Sequence, residues 1–244
     1  MLRVFNVRVA WKTDKGRKKK LNEDSVLVDL DAGLFLLADG MSCPRGGNIA
    51  SELAVRHAHA FLKERIGQAQ GGDEVLKLMD DAVSKAHHVI GDASKKDRTL
   101  CGMGTTLMIL YVRGQKGYVA HVGDSRAYRL GRELERITED HVMEHEAHDD
   151  VMLRELFFFS RTRMLSQALG PSRQLRCDGH RIPLSKGDIL LLCSDGLTNM
   201  LSDMEIRELI ACHGADIDAS ADALIEAANR MGGRDNISVV LIQV

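Results

Sequence analysis

Apolar and polar residues alternate with a period of two over several short stretches of the chain, which is typical of half-buried β-strands. The first stretch covers residues 4–11, where Val7 and Val9 lie on the side opposite to Arg8 and Ala10. Further strands are predicted where short apolar runs are bounded by glycine or turn residues. They cover residues 25–30, 34–38, 105–112, 116–122, 126–130, 175–182, 188–193 and 237–244.

Four other segments carry apolar residues three and four positions apart, which predicts amphipathic helices. Strands interleaved with pairs of helices favour a layered α+β domain. The sequence contains no internal repeat, low-complexity stretch or linker, so we expect one domain over residues 1–244. We assign no element to residues 141–159, which are acidic and then aromatic. The predicted helices cover residues 48–66, 74–93, 203–213 and 219–231.

The composition is that of an ordinary globular protein and argues against several classes of partner. Apolar residues make up 44% and charged residues 28% of the 244 residues, and the formal net charge is -2. This balance gives no general attraction to nucleic acid or to anionic lipid. No apolar run approaches the roughly 18 residues of a membrane helix. We therefore expect a soluble cytoplasmic protein that binds neither nucleic acid nor membranes.

The cysteines support the same compartment. They are five in number, widely separated, and form no C-x-x-C pair. Such a pattern indicates neither a disulfide framework nor a cysteine zinc site, and it fits a reducing environment. The residues are Cys43, Cys101, Cys177, Cys193 and Cys212.

Acidic residues stand at the ends of several apolar strands. Asp39, Asp124 and Asp195 come at or just beyond a strand end, and Asp235 comes just before the last strand. The start of one antiparallel strand lies beside the end of its neighbour, so these carboxylates can meet. Close carboxylates repel one another, and a divalent cation relieves that repulsion; an all-oxygen set favours Mg²⁺ or Mn²⁺ over zinc. An Asp-Gly pair is also the signature of a simple turn, and the residues alone leave that alternative open.

The sequence resembles the metal-dependent protein phosphatases (PPM, or type 2C), in particular their bacterial branch. The resemblance rests on eight motifs that occur in the order found in the family and span nearly the whole chain. The motifs lie at residues 22–25 (NEDS), 37–41 (LADGM), 102–106 (GMGTT), 122–128 (VGDSRAY), 137–141 (ITEDH), 165–170 (LSQALG), 187–197 (GDILLLCSDGL) and 233–239 (GRDNISV).

The resemblance implies a sandwich of two antiparallel sheets flanked on both faces by pairs of helices, an α-β-β-α order of layers. It also implies a binuclear Mn²⁺ or Mg²⁺ centre at one end of the sandwich. Asp39 would bridge both metals, and the Gly40 carbonyl would bind one of them. Asp195 and Asp235 would complete the protein ligands of the other metal, and the three aspartates would be the catalytic residues.

Bacterial members of the family hold a third metal, and the resemblance places Asp124 and Asp195 on it. Glu23 and Asp24 would act on the metals through waters. The implied reaction is hydrolysis of phosphoserine and phosphothreonine by direct attack of a water that bridges the metals, with no phosphoenzyme intermediate. The implied partners are phosphorylated proteins, among them a Ser/Thr kinase or the targets of such a kinase.

Some positions depart from the family. Lys19 stands where the family has an arginine that binds the substrate phosphate, so we expect Lys19 to bind phosphate without a bidentate fork. The basic residues at 17, 18 and 20 either help to bind the phosphate or form a solvated loop. Met41 stands where animal members carry a histidine proposed as the general acid. Ser42 and Cys43 replace two glycines of many bacterial members, and Cys43 is either exposed near the site or a packed thiol.

Residues 142–163 correspond to the variable flap of the family. His145 and His148 lie there among acidic residues. One interpretation of this composition is a metal-binding or pH-sensing role. A solvated loop is the favoured interpretation, because charge-rich segments generally face solvent. The aromatic run 157–159 predicts an anchor that holds the flap on the core.

Two other functions compete with that of a protein phosphatase. A pseudophosphatase that only binds or senses would lack at least one of the metal-binding acids, and none is missing here. A hydrolase of small phosphate esters would use the same acids, so a comparison of substrates is needed to separate it from a protein phosphatase.

Overall fold

Two five-stranded antiparallel sheets stack at the centre of the protein, whose computed structural model describes residues 7–42, 45–145, 162–172 and 174–244. The strands of these residues are β1 Arg8–Asp14, β2 Ser25–Asp29, β3 Leu34–Ala38, β4 Gly40–Met41, β5 Gly104–Thr105, β6 Leu107–Arg113, β7 Lys116–Val122, β8 Arg126–Leu130, β9 Leu134–Arg136, β10 Val142–His145, β11 Thr162–Leu165, β12 Asp178–Pro183, β13 Ile189–Cys193 and β14 Ile237–Gln243. The first sheet has the order β1-β14-β13-β8-β9, and the second has the order β12-β7-β6-β3-β2. Two short pairs, β4 with β5 and β10 with β11, lie outside these sheets.

Helices cover the outer face of each sheet. Apolar side chains of α1 and α2 share one buried cluster with the second sheet, and those of α4 and α5 share another with the first. A short helix, α3, follows β13 directly. The helices are α1 Gly47–Lys63, α2 Gly72–Lys96, α3 Asp195–Thr198, α4 Asp203–His213 and α5 Ile217–Arg230.

The apolar strands owe their continuous hydrophobicity to burial on both faces. In β3, Leu34 and Leu36 pack beneath the helices, whereas Phe35 and Leu37 pack between the sheets. All four side chains are inaccessible to solvent. Alternate side chains point to opposite faces of a strand, so a strand with a layer on each side needs apolar residues at every position. This explains why the sequence pattern locates the inner strands well.

The α+β fold class and the four α-β-β-α layers are confirmed. The bounds of β3, β7, β8 and α4 are those predicted from the sequence. The predicted strand 105–112 is interrupted at Thr106, whose backbone N–H donates to the carbonyl of Asp39 instead of continuing the strand pairing. The short elements β4, β9 and α3 carry too few residues to show a period.

Two short paired strands, β10 and β11, lie at the two ends of the predicted flap. Val142 of β10 pairs with Leu165 of β11 in antiparallel register. The residues between these strands, 146–161, lie outside the described residues, as do residues 1–6 at the start of the first predicted strand. In the part of the chain that the structure describes, no helix combines the length and the apolarity needed to span a bilayer.

One end of the sandwich collects the strand termini that carry the acidic motifs. In the second sheet, Leu107 at the start of β6 pairs with Val122 at the end of β7, and Leu37 near the end of β3 pairs with Met108. In the first sheet, Cys193 at the end of β13 pairs with Val239 near the start of β14. The segments that follow or precede these termini therefore face each other at the same end of the protein.

Candidate active site

A cavity of about 760 Å³ opens at this end of the sandwich. Its wall contains every predicted metal ligand, and Lys19 and Glu23 line it as well. Asp24 is the one predicted site residue that does not reach the wall. The candidate ligands on the wall are Asp39, Gly40, Asp124, Asp195 and Asp235.

The backbone of Asp39, directly after β3, is fixed by two buried threonines. Its N–H donates to Oγ1 of Thr106 at 2.9 Å, and the Thr106 N–H donates to the Asp39 carbonyl, also at 2.9 Å. Oγ1 of Thr105 donates to the same carbonyl at 2.8 Å. Because these bonds lie within the protein interior, they hold the start of the Asp39 side chain in one place.

Two glycines allow chain segments to approach closely beside the acids. A Cβ atom on Gly40 would lie 2.2 Å from the carbonyl oxygen of Gly47. A Cβ atom on Gly196 would lie 2.0 Å from the carbonyl oxygen of Asn236. Non-bonded atoms do not approach so closely, so a larger residue at either position would separate the segments that carry the acids.

Asp195 is held where β13 passes into α3. Nδ2 of Asn199 donates to Oδ2 of Asp195 at 3.0 Å. The Ser194 N–H donates to the Ser238 carbonyl at 3.1 Å, and the Ser238 N–H donates to Oγ of Ser194 at 2.9 Å. These bonds join the end of β13 to the start of β14 and so fix Asp195 relative to the segment that contains Asp235.

Lys19 lines the cavity, where its ammonium group is paired with a candidate metal ligand. Nζ of Lys19 is 2.5 Å from Oδ1 of Asp235, and both side chains are partly exposed. Burial favours the neutral amine, but the hydrogen bond and charge of Asp235 outweigh burial and raise the pKa of Lys19. The charges of Asp39 and Glu23 act in the same direction. In this arrangement Lys19 neutralises part of the acidic cluster.

Asp24 lies behind the cavity wall and is held by two serines. Its Oδ2 accepts hydrogen bonds from Oγ of Ser194 at 2.9 Å and from Oγ of Ser238 at 2.6 Å. Its Oδ1 is buried and has no hydrogen-bond partner among the described residues. Burial raises the pKa of Asp24 to about 6, although the two serine hydrogen bonds lower it, and the charges of Asp195 and Asp235 add to the rise.

Glu23 connects three parts of the site. Oγ of Ser42 donates to Oε1 of Glu23 and accepts a hydrogen bond from the N–H of Gly47, the first residue of α1, at 3.1 Å. The Glu23 N–H donates to Oδ1 of Asn236 at 2.8 Å. Glu23 is thereby tied to the start of α1 and to the residue that follows Asp235.

Asn236 has a role in the site that the sequence analysis does not assign. It is buried, and its Nδ2 donates to the carbonyl of Lys15 at 2.9 Å and to the carbonyl of Leu21 at 3.0 Å. One side chain therefore closes the loop of residues 15–21, which carries Lys19. The sequence feature that could have pointed to Asn236 is its place next to Asp235 inside a family motif. Thr106 and Ser194, which also hold parts of the site, lie inside family motifs as well.

The acids of the cluster raise one another's pKa. Burial is the largest cause of the strong upward shift in the pKa of Asp39, and the charges of Asp24, Asp195, Asp124 and Asp235 add to it. Burial and then the charge of Asp235 also raise the pKa of Asp195. Both shifts reflect burial and the repulsion between carboxylates held close together, and the charge of Lys19, which lowers the pKa of Asp195, does not cancel them.

This donor set fits a divalent ion of the Mg²⁺ or Mn²⁺ type. The groups are oxygen donors, and Lys19 already supplies a cation to Asp235. Behind the wall, the Oδ1 atom of Asp24 is buried and has no hydrogen-bond partner in the part of the chain that the structure describes. Within the described ranges, no group of three or more His, Cys, Asp or Glu side chains is arranged to hold a metal as it stands. Binding would therefore require side chains to move, and Lys19 would have to release Asp235.

The remaining predicted features of the site are only partly described. Met41 lines the cavity together with the apolar residues Met164, Leu165 and Pro171. His145 belongs to β10. Cys43, His148 and the aromatic run 157–159 lie outside the described residues, so their roles stay predictions.

Comparisons with known proteins agree with this geometry. A family model described as protein phosphatase 2C matches residues 13–236. The serine/threonine phosphatase Stp of Listeria monocytogenes is 34% identical over 239 residues, which cover 96% of this chain and 94% of that protein.

Solved structures show the same similarity in three dimensions. The serine/threonine phosphatase PstP/Ppp of Mycobacterium tuberculosis matches with a TM-score of 0.82 and 33% identity, with 98% of each chain covered. The catalytic domain of PstP in complex with two manganese ions matches with a TM-score of 0.77 and 32% identity, with 97% of each chain covered. Sequence and fold together show that the chain belongs to the protein phosphatase 2C family.

Proposed function

We propose that the protein is a Mn²⁺- or Mg²⁺-dependent phosphatase that hydrolyses phosphoserine and phosphothreonine in proteins. The observation that carries this proposal is the convergence of Asp39, Asp124, Asp195 and Asp235 on one cavity that also holds Lys19. The names of the relatives support it, since Stp and PstP are called serine/threonine phosphatases and a structure of PstP contains two manganese ions.

The cavity residues divide naturally between metal binding and support. Asp39 would bridge two ions, and the carbonyl of Gly40 would bind one of them. Asp195 and Asp235 would complete the ligands of the other ion, and Asp124 with Asp195 would hold a third. Glu23 and Asp24 would contact the ions through waters. The buried serines on Asp24 and the contacts of Asn199 and Ser194 support this division, because they fix acids that would otherwise repel.

The proposed reaction needs no nucleophile from the protein. Divalent ions held by Asp39, Asp195 and Asp235 would supply an acidified water as the nucleophile, so the reaction would need no phosphoenzyme intermediate. Lys19, once released from Asp235, would contact the phosphate oxygens as a point charge. Met41 has no exchangeable proton, so the serine or threonine oxygen that leaves phosphorus would take its proton from water.

We also infer that residues 1–244 form one catalytic domain that acts in the cytoplasm. The family match over residues 13–236 supports a single domain. The described cysteines are free thiols, which is the state that a reducing compartment maintains. The partners would be phosphorylated proteins, including a Ser/Thr kinase or its targets.

Hydrolysis of a phosphothreonine peptide with and without Mn²⁺ tests the proposal. We expect turnover that depends on metal and that falls at least about 100-fold in Asp39→Asn, because this change removes the charge that would bridge the ions. Asp92→Asn, on the exposed surface of α2, is the matched control and should keep wild-type turnover. Lack of metal-stimulated turnover in the wild type would contradict the proposal. Faster hydrolysis of small phosphate esters than of phosphopeptides would overturn the substrate class.

A further inference from the structure

Four exposed basic residues lie within two positions of the cavity-lining residues Lys19 and Asp235, and neither the proposed metal binding nor the fold requires them. They are Arg17, Lys18, Lys20 and Arg234, and we refer to them as the basic rim. We propose that the basic rim binds acidic residues next to the phosphorylated residue and so selects phosphoproteins with acidic flanking sequence. This inference rests on the proposed function and adds a substrate preference to it.

Unlike Lys12 and Lys19, the rim residues have no acidic partner among the described residues. Lys19 pairs with Asp235 and Lys12 pairs with Asp222. None of the four rim side chains forms an ion pair with any residue that the structure describes, and all four are exposed. Their charges are therefore available to a ligand.

The rim is held in a fixed position by backbone contacts. The N–H groups of Arg17 and Lys18 both donate to the carbonyl of Gly233, at 2.7 and 3.2 Å. A Cβ atom on Gly233 would lie 2.8 Å from Cγ of Arg17, so the Arg17 side chain runs directly over the segment that contains Arg234. The two stretches that supply the rim thus form one surface.

Asn236 fixes this surface to the catalytic cavity. Its amide group donates to the carbonyls of Lys15 and Leu21, at the two ends of the loop that carries three of the rim residues. Lys19, in the middle of that loop, and Asp235, next to Arg234, both line the cavity. A loop tied at both ends presents its charges with a smaller loss of entropy than a free loop, which favours binding over simple solvation.

Apolar side chains in the cavity wall favour a polypeptide over another polyanion. They are those of Met41, Met164, Leu165 and Pro171, and they suit the side chains of a peptide next to the phosphorylated residue. No aromatic residue lines the described wall, so there is no platform on which nucleic-acid bases could stack. The formal net charge of -2 also disfavours nucleic acid, because the protein as a whole does not attract a polyanion.

The test compares two phosphothreonine peptides of equal length, one with glutamates flanking the phosphorylated residue and one with glutamines. With Mn²⁺ and at low salt, we expect kcat/KM to be about 3- to 10-fold higher for the acidic peptide, as two exposed charge pairs would give. The preference should fall as the salt concentration rises, since exposed charges are screened. In the double variant Lys18→Gln/Lys20→Gln, the ratio between the two peptides should approach one.

The matched control is Lys77→Gln/Lys85→Gln, which removes the same charge from exposed positions of α2 away from the cavity. It should keep the wild-type ratio. An equal ratio for wild type and rim variant, or an equal loss in the control, would overturn the proposal. If the rim variant instead lost affinity for a DNA oligonucleotide while keeping its peptide ratio, the rim would be a nucleic-acid site and the proposal would be wrong.

A binding measurement separates this proposal from the proposed function. Peptides that carry a non-hydrolysable phosphonate in place of the phosphate are labelled, and their affinity is measured by fluorescence anisotropy. A protein that turns over neither phosphopeptide but binds the acidic phosphonate several-fold more tightly would contradict the phosphatase function and support the rim. Turnover of both phosphopeptides together with equal affinities for the two phosphonate peptides would support the phosphatase function and contradict the role of the basic rim.

Discussion

The ammonium group of Lys19 lies 2.5 Å from Oδ1 of Asp235, so a side-chain cation is paired with a carboxylate that the family resemblance assigns to a metal. A divalent ion at this carboxylate would have to displace Lys19. The displaced lysine would then be free to contact a phosphate group in the same cavity. Metal binding and phosphate binding are therefore expected to be coupled through this one side chain.

Replacing Lys19 by methionine should separate the two effects. We expect Mn²⁺ to bind about 2- to 5-fold more tightly to Lys19→Met, since the partly exposed ion pair with Asp235 no longer competes. The KM for a phosphopeptide should rise at the same time, because the cation for the phosphate is lost. Calorimetric titration with Mn²⁺ and steady-state kinetics measure these quantities. Lys12→Met, which removes a surface ion pair with Asp222, is the control. An unchanged Mn²⁺ affinity in Lys19→Met would show that Lys19 does not compete with the metal for Asp235.

Asn236→Asp tests whether one buried amide holds the loop of residues 15–21 in place. The aspartate keeps an acceptor for the Glu23 N–H but loses both donors to the loop carbonyls and places an oxygen against them. We expect the free energy of unfolding to fall by about 1–3 kcal/mol, the usual cost of leaving buried polar groups unpaired. Urea denaturation measures this change. Asn48→Asp, on the exposed start of α1, should stay within about 0.5 kcal/mol of wild type.

The inner layers of the fold could be predicted because burial leaves a strong mark on the sequence. β3 is apolar at every position since both of its faces are covered, and α4 carries apolar residues at helical spacing, of which Ile206 and Ile210 are buried. The elements that were missed have no such mark. β9 has three residues, and α3 is a short helix set by the turn after Ser194.

The site shows a similar division. That the four acids line one cavity could be predicted because several of them follow apolar strands and lie in motifs that occur in the family order, whereas one Asp-Gly pair alone would equally indicate a turn. The partner of Lys19 was not predictable, because its ion pair with Asp235 joins residues that are more than two hundred positions apart. The role of Asn236 likewise depends on where the loop carbonyls lie, and the sequence carries no information on the direction of a carbonyl.

His121 should make the fold sensitive to mild acid. It is buried on β7, its ring lies 4.7 Å from that of His141 and 5.7 Å from that of His180, and its Nδ1 has no partner among the described residues. Burial lowers the pKa of His121, and the charges of His141 and His180 lower it further. The hydrogen bond to the Glu139 carbonyl and the charge of Asp178 raise the pKa but do not outweigh burial. Below the usual histidine pKa of about 6.5 the unfolded chain therefore binds more protons than the folded one, and stability falls as the pH falls.

Urea denaturation between pH 5 and 7.5, in the presence of a chelator, measures this effect. In His121→Gln we expect the dependence of the free energy of unfolding on pH to be shallower, by up to about 1.4 kcal/mol per pH unit at the acidic end. His88→Gln, at an exposed position of α2, should keep the wild-type slope. Parallel curves for wild type and His121→Gln would show that His121 does not cause the acid sensitivity.

Removal of a single charge from the acidic cluster should stabilise the metal-free protein while it abolishes the proposed activity. Asp39 is fixed by Thr105 and Thr106 and lies close to three other cavity aspartates, so its charge is repelled by its neighbours when no ion is bound. In a chelator, Asp39→Asn should melt about 2–4 °C higher than wild type, which corresponds to about 1 kcal/mol in a chain of this size. Added Mn²⁺ should raise the melting temperature of the wild type, because a ligand that binds only the folded state stabilises it, and should have little effect on the variant.

Asp92→Asn, outside the cavity, should follow the wild type in both conditions. A variant that melts lower than wild type without metal would mean that the Asp39 carboxylate stabilises the fold itself, and the account of the cavity as a strained, cation-dependent cluster would then be wrong.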